Sequence, residues 1–168
     1  IGRFSSEKGI NILLEASEIY QGKSQIYFAG NDGDLLSKIK SSKKVKHIGF
    51  VSGDKKNDII KKAKAIIIPS ICYEVFGMSA IESFSQGTPV ISSKIGGLQS
   101  LIEDGYNGLL FKPADVQDLV RKMNILDDKG EIERMSKNAR NTYEAKYTPK
   151  IHYQMLMEVY SNLICNKK

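Results

Sequence analysis

The sequence predicts a doubly wound (Rossmann-like) α/β domain: a parallel sheet with helices on both faces, followed by a helical C-terminal region. Three observations carry this reading. Short apolar runs alternate with stretches of helical period from residue 10 to residue 111. The run at residues 65–68 is continuous and rich in β-branched side chains, the pattern of a parallel strand covered on both faces. Beyond Lys112 the strand-like runs stop and only helical segments follow. Connections between the parallel strands are then expected to be right-handed crossovers.

Taken in order, the first residues read as the tail of a strand whose beginning is absent, so residues 1–168 are expected to be one domain of a longer protein. Residues 2–9, GRFSSEKG, form a loop. Residues 8–21 set Ile10, Leu13, Leu14 and Ser17 on one helical face, with Gly22 expected to end the helix. A strand at 25–29 leads into the turn Gly30-Asn31-Asp32-Gly33, and a short helix follows at 34–41 with Asp34 as its cap. A strand at 45–50 precedes Asp54, expected to cap a helix over 55–64 that carries Ile59, Ile60 and Ala63. The strand at 65–68 stops at Pro69. A helix from about Gly77 should close at Gly87 through a left-handed cap, with Thr88-Pro89 opening the strand at 89–92. Gly96-Gly97 reads as a flexible loop, 98–102 as one or two helical turns, and 109–111 as the last strand. Asp115 caps a helix over 116–126, a second helix spans 131–146, and Pro149 opens the last one to about Ile164.

At 168 residues the chain can bury roughly 70% of its unfolded surface without covalent staples. Cys72 and Cys165 form neither a disulfide framework nor a zinc spacing, which points to a reducing, cytoplasmic setting. The sequence contains no apolar run of membrane-spanning length and no signal-peptide pattern at its start. Net charge is +6, and residues 38–64 hold ten lysines against only Asp54 and Asp58. A lysine-rich nucleic-acid-binding module is one reading of that segment; a solvated face is the plainer one, because no aromatics interleave with the lysines. No nucleic-acid partner is therefore expected. Asp32-Gly33-Asp34 has the spacing of a metal-binding acid pair, but it lies in a strand-to-helix turn where aspartate serves local purposes. His47 and His152 have no partner at ligand spacing, so no metal and no catalytic histidine are proposed.

The stretch from Glu74 to Glu82, EVFGMSAIE, organises the chain. It puts one acid on the loop after a strand, a second inside the following helix, and the helix's first amides where a parallel strand's carboxyl end presents a ligand. A helix start attracts phosphate, and carboxylates accept hydrogen bonds from sugar hydroxyls. The spacing suggests a site for a polyol phosphate.

Residues 69–111, PSICYEVFGMSAIESFSQGTPVISSKIGGLQSLIEDGYNGLLF, resemble the donor-site signature of the retaining glycosyltransferases of family 4 (group 1), including its Glu, seven residues, Glu spacing. GRFSSEKG resembles the same family's Gly-Arg…Lys-Gly loop, and the two motifs agree in order and separation. The resemblance implies one half of a GT-B fold, the nucleotide-sugar (donor) binding domain, with an N-terminal acceptor domain absent from this chain. It implies that Gly2, Arg3 and Lys8 meet the donor diphosphate, with Arg3, Lys8 and Glu74 as the catalytic set. Glu82 would accept the ribose hydroxyls and Glu74 would face the donor sugar, while backbone amides of Phe76, Gly77 and Met78 meet anion and sugar. The side chains of Phe76 and Met78 are expected in the core. Val51 would hold the nucleobase through its main chain. Where members often have Pro-Glu after the paired glycines, this chain has Gln99-Ser100.

The implied activity is metal-independent transfer of a sugar, with retention, from a nucleotide diphosphate sugar to a glycan, lipid or other acceptor. Cell-surface polysaccharide or glycoconjugate synthesis is the commonest setting among members. No cofactor is expected. Any peripheral membrane contact is expected in the missing half, and the isolated domain is expected to be inactive. An epimerase or phosphorylase on the same architecture is the neighbouring alternative.

Overall fold

The computed structural model describes residues 1–165; the side chain of Cys165, one of the two thiols noted above, lies outside them, and Cys72 is free. A 3-10 turn at Ser6–Lys8 leads into α1 (Ile10–Ile19), then β1 (Ile26–Phe28), α2 (Leu36–Ser41), β2 (Val45–His47), α3 (Gly53–Lys62) and β3 (Ile66–Ile68). There follow α4 (Met78–Ser85), β4 (Val90–Ser93), α5 (Leu98–Leu101), β5 (Gly108–Phe111), α6 (Val116–Ile125), α7 (Lys129–Lys146) and α8 (Pro149–Cys165). All strand pairs are parallel: β1 with β2, and β3, β4, β5 in that order. The predicted alternation therefore stands, but the strands form two hydrogen-bonded groups rather than one sheet.

Period-two alternation along the strands builds a core on each face. Ile67, Ile91, Leu109 and Phe111 face the cluster packed by α1 and α6 around Leu13, Leu119 and Met123. Ile68, Val90 and Leu110 face the opposite cluster, made by Phe84 of α4, Leu98 and Leu101 of α5 and Ala139 of α7. Both groups of strands share the first cluster, since Phe28 and Val45 join Ile91 there. The strand fully covered on both faces is β4, whose four residues are all buried. β3, read from its composition as the covered strand, is half-buried, because it lies at the edge of its sheet.

Several boundaries move for local reasons. α1 starts after Lys8, because Gly9 adopts a left-handed conformation (φ 68°), and it ends at Ile19 rather than near Gly22. Ser52, not Asp54, occupies the cap position of α3, leaving Asp54 in the first turn, where its charge suits the helix dipole. Asp34 does not cap α2, which begins after Leu35. β2 ends at His47, three residues short of the apolar run. Of the three apolar residues expected to bury α3, only Ile60 is buried.

Other caps fall where composition places them. Gly87 (φ 71°) donates to the Phe84 carbonyl at 2.9 Å just past α4, and Asp115 accepts from the Asp118 amide at 3.0 Å to start α6. Asp115→Ala should therefore lower stability by about 1 kcal/mol, read from urea unfolding. α8 extends away from the body with Met155, Leu156, Val159, Tyr160 and Leu163 exposed. Among the described residues, no helix is long and apolar enough to cross a membrane.

Candidate functional site

The carboxyl ends of β1, β3 and β4 and the loops that follow them converge on one place. Phe4 anchors the first loop there: its ring is buried edge-on against Phe28 at 5.8 Å and against His47 at 5.9 Å. Its amide donates to the Asp32 carbonyl at 2.7 Å, and the Gly2 amide donates to the Ala29 carbonyl at 2.9 Å. With Phe4 turned inward, Arg3 is left exposed and bonds Glu7 at 3.1 Å. The Glu7 carbonyl in turn accepts the Ile71 amide at 3.0 Å, which joins this loop to the one after β3.

Gly9 makes the closest crossing. A Cβ there would lie 1.7 Å from the Pro69 carbonyl oxygen, so only glycine lets the loop pass and puts Lys8 beside the Glu74 loop. Lys8 Nζ reaches Glu74 Oε1 at 2.6 Å, and Ser70 Oγ donates to the same oxygen at 2.9 Å. Partial burial pushes the Glu74 carboxyl up, but the hydrogen bonds from Lys8 and Ser70 and the lysine charge outweigh it and hold the group below its ordinary range. Its contribution to stability is thus complete above the usual glutamate value of about 4.3 and is lost as pH falls through the lowered folded value. Thermal unfolding below about pH 4 should accordingly show a smaller acid-induced loss for Glu74→Gln than for the parent chain.

The main chain of the Glu74 loop is clamped from the other side. The Gly97 amide donates to the Glu74 carbonyl at 2.7 Å, and Cβ atoms at Gly96 and Gly97 would come within 2.8 Å and 2.4 Å of carbonyl oxygens of Glu74 and Val75. The paired glycines read as a flexible loop are instead a close backbone contact. Gly77 sits left-handed (φ 81°) at the start of α4, backed by Leu98 and Leu101, with no side chain capping the first amides of the helix. Phe76 and Met78, expected in the core, are 49% and 61% exposed, since the turn at Gly77 carries them to the mouth of the site.

Glu82 lies one turn into α4 and is bonded at 2.6 Å to Lys56 Nζ of α3. Val51, two residues before α3, is buried. The structure thus brings Lys8 against Glu74, ties the Arg3 loop to the loop carrying Glu74, and sets Glu82 on the helix that follows. Ser70, Lys56 and the Gly96-Gly97 clamp lie outside the set of residues that the sequence motifs point to. A hydroxyl four residues before Glu74, and a lysine on the helix after Val51, were the signals available for the first two. The Asp32 main-chain carbonyl receives the Phe4 amide, and the Asp34 carboxylate receives Ser6 Oγ at 3.5 Å.

A helix start flanked by two carboxylates, with a lysine against the first of them and an arginine on the same loop as that lysine, can take a ligand that carries both phosphates and hydroxyls. Solved structures share the fold. The Anabaena HepE protein, crystallised with UDP, superposes with a TM-score of 0.82 at 23% identity, over 95% of this chain and 48% of that one. Sucrose-phosphate synthase from Thermosynechococcus elongatus gives 0.82 at 28% identity, over 99% of this chain and 45% of that one. The doubly wound domain expected as one half of a GT-B fold is thus the fold observed. Among curated proteins, an uncharacterized glycosyltransferase of Methanocaldococcus jannaschii is 32% identical over 88% of this chain and 40% of its own length. The alpha-D-kanosaminyltransferase of Streptomyces kanamyceticus is 27% identical over 97% and 45%. The chain thus spans less than half the length of these relatives. The family model described as glycosyl transferases group 1 matches residues 1–142, and the chain belongs to that family.

Proposed function

We propose that this chain is the donor-binding domain of a retaining, metal-independent glycosyltransferase that moves a sugar from a nucleotide diphosphate sugar to a glycan, lipid or other acceptor. The observation that carries it is the Lys8–Glu74 contact at 2.6 Å beside the start of α4, which joins the two ends of the family's pattern at one point. The resemblance to a protein crystallised with UDP and UDP-glucose supports the choice of donor class.

In this reading the bond between the sugar's anomeric carbon and the β-phosphate oxygen breaks, a new bond to an acceptor hydroxyl oxygen forms on the same face, and the hydroxyl's proton passes to the departing diphosphate. Negative charge gathers on the departing nucleoside diphosphate. Arg3 offers a planar fork, Lys8 a point charge and α4 its first amides, and together they neutralise that charge without a divalent cation. Glu74 accepts hydroxyl hydrogen bonds of the sugar, Glu82 those of the ribose, and Val51 backs the base. Gly2 and the amides of Phe76, Gly77 and Met78 complete the lining. The acceptor and the opposite wall of the cleft belong to an N-terminal domain, where any peripheral membrane contact is also placed. The working compartment is the cytoplasm, and the product is a cell-surface polysaccharide or glycoconjugate.

The test is a thermal-shift screen of the full chain with UDP, GDP, ADP and their sugars, with EDTA present. A rise in Tm that Arg3→Ala abolishes supports the reading. A rise produced only by single-stranded nucleic acid and removed by salt overturns it in favour of the lysine face.

A further inference from the structure

We infer that Lys56 is a positioning residue for the ribose, acting through Glu82. This rests on the donor-site reading above and names a part of that site which neither motif contains.

Lys56 stands on α3, five residues after the buried Val51, and only a quarter of its side chain is exposed. Its ammonium bonds Glu82 Oε1 at 2.6 Å across the gap between α3 and α4. Both positions are fixed by their helices rather than by loops. α3 is held to the end of α4 by a buried chain in which Thr88 Oγ1 donates to the Ile60 carbonyl and Ser83 Oγ donates to the Thr88 carbonyl, each at 2.8 Å. Among the described residues, Glu82 Oε2 accepts no hydrogen bond, and the side chain keeps 39% of its surface open. The lysine therefore takes one carboxylate oxygen and leaves the other for a ligand.

A glutamate on a helix surface samples several rotamers, and fixing it before the ligand arrives removes that loss of freedom from the binding step. Lys56 does this with a charge-assisted hydrogen bond, stronger than a neutral one. Among the described residues, the other lysines of α3 make no such contact across to α4: Lys62 pairs with Asp58 on the same exposed helix face. One cation of the lysine-rich segment thus belongs to the site, while Lys62 pairs within its own helix.

The experiment is calorimetric titration of the full chain with UDP, GDP and ADP, with their 2′,3′-dideoxy counterparts and with inorganic pyrophosphate. For the ribonucleotide that binds, Lys56→Ala should weaken affinity about tenfold, the loss of one charge-assisted hydrogen bond's worth of organisation. It should leave the dideoxy compound and pyrophosphate unchanged, because neither uses Glu82. Lys56→Arg should restore part of the loss, and Lys62→Ala should have no effect. Equal weakening of the ribo and dideoxy compounds, weakened pyrophosphate binding, or an unchanged ribonucleotide affinity each overturn the positioning role. Failure of the parent chain to bind any of the three ribonucleotides overturns the donor-site reading itself, and this inference with it.

Discussion

Lys8→Ala is expected to weaken nucleoside diphosphate binding by about 100-fold or more while lowering stability by only about 1 kcal/mol. The asymmetry follows from the two roles the side chain plays. In the unliganded chain it answers Glu74 at 2.6 Å, with 37% of the lysine side chain still in solvent, so the pair is partly screened. Ser70 stays on Glu74 when the lysine is gone, and the carboxylate is not left unpartnered. A bound diphosphate, in contrast, loses one of the two first-loop cations set against its charge, and a single pre-positioned donor of that kind is worth about 100-fold or more. Calorimetry against UDP, GDP and ADP reads the first quantity and urea unfolding the second. A stability loss as large as the binding loss would make Lys8 a structural residue.

The second large effect is Gly9→Ala, which should destabilise the chain by about 3 kcal/mol or more and abolish nucleotide binding together with it. A methyl group there meets the Pro69 carbonyl oxygen at 1.7 Å, backbone against backbone, so no rotamer relieves it. The left-handed φ of 68° adds about 1–2 kcal/mol for any residue with a Cβ, and the forced separation adds about 1–3 kcal/mol more. Any relaxation has to move the first loop off the end of β3, and with it Lys8 off Glu74. Urea unfolding checks the loss. The companion Gly53→Ala also adds a Cβ at positive φ (52°), but into open space, and should show only the backbone part.

What could be read from the residues was the part written in short-range pattern. The strand-helix alternation, the cap at Asp115, the left-handed glycine after α4 and the placement of Glu82 inside a helix all follow from local chemistry. What could not be read depends on which segments meet. β3 has the composition of a covered strand, but its edge position leaves it half-buried, and β4 takes the covered place. Phe76 and Met78 look like core residues, and the Gly77 turn sends them outward. Gly96-Gly97 carries the composition of a flexible link, yet its closeness to the Glu74 and Val75 carbonyls is what excludes side chains there. Lys56 was one lysine among ten, and only its distance to Glu82 sets it apart. In each case the sequence specified the residue, and a contact across many residues specified its use.

The cations of the first loop and the start of α4 are proposed to hold one diphosphate between Glu74 and Glu82. A structure of the full chain with a bound nucleoside diphosphate tests it most directly. Phosphate oxygens are expected within hydrogen-bond reach of Lys8 Nζ, the Arg3 guanidinium and the first amides of α4, with the ribose against Glu82. Phosphates seated instead along the exposed lysines of α3, away from Lys8 and the α4 start, would contradict it.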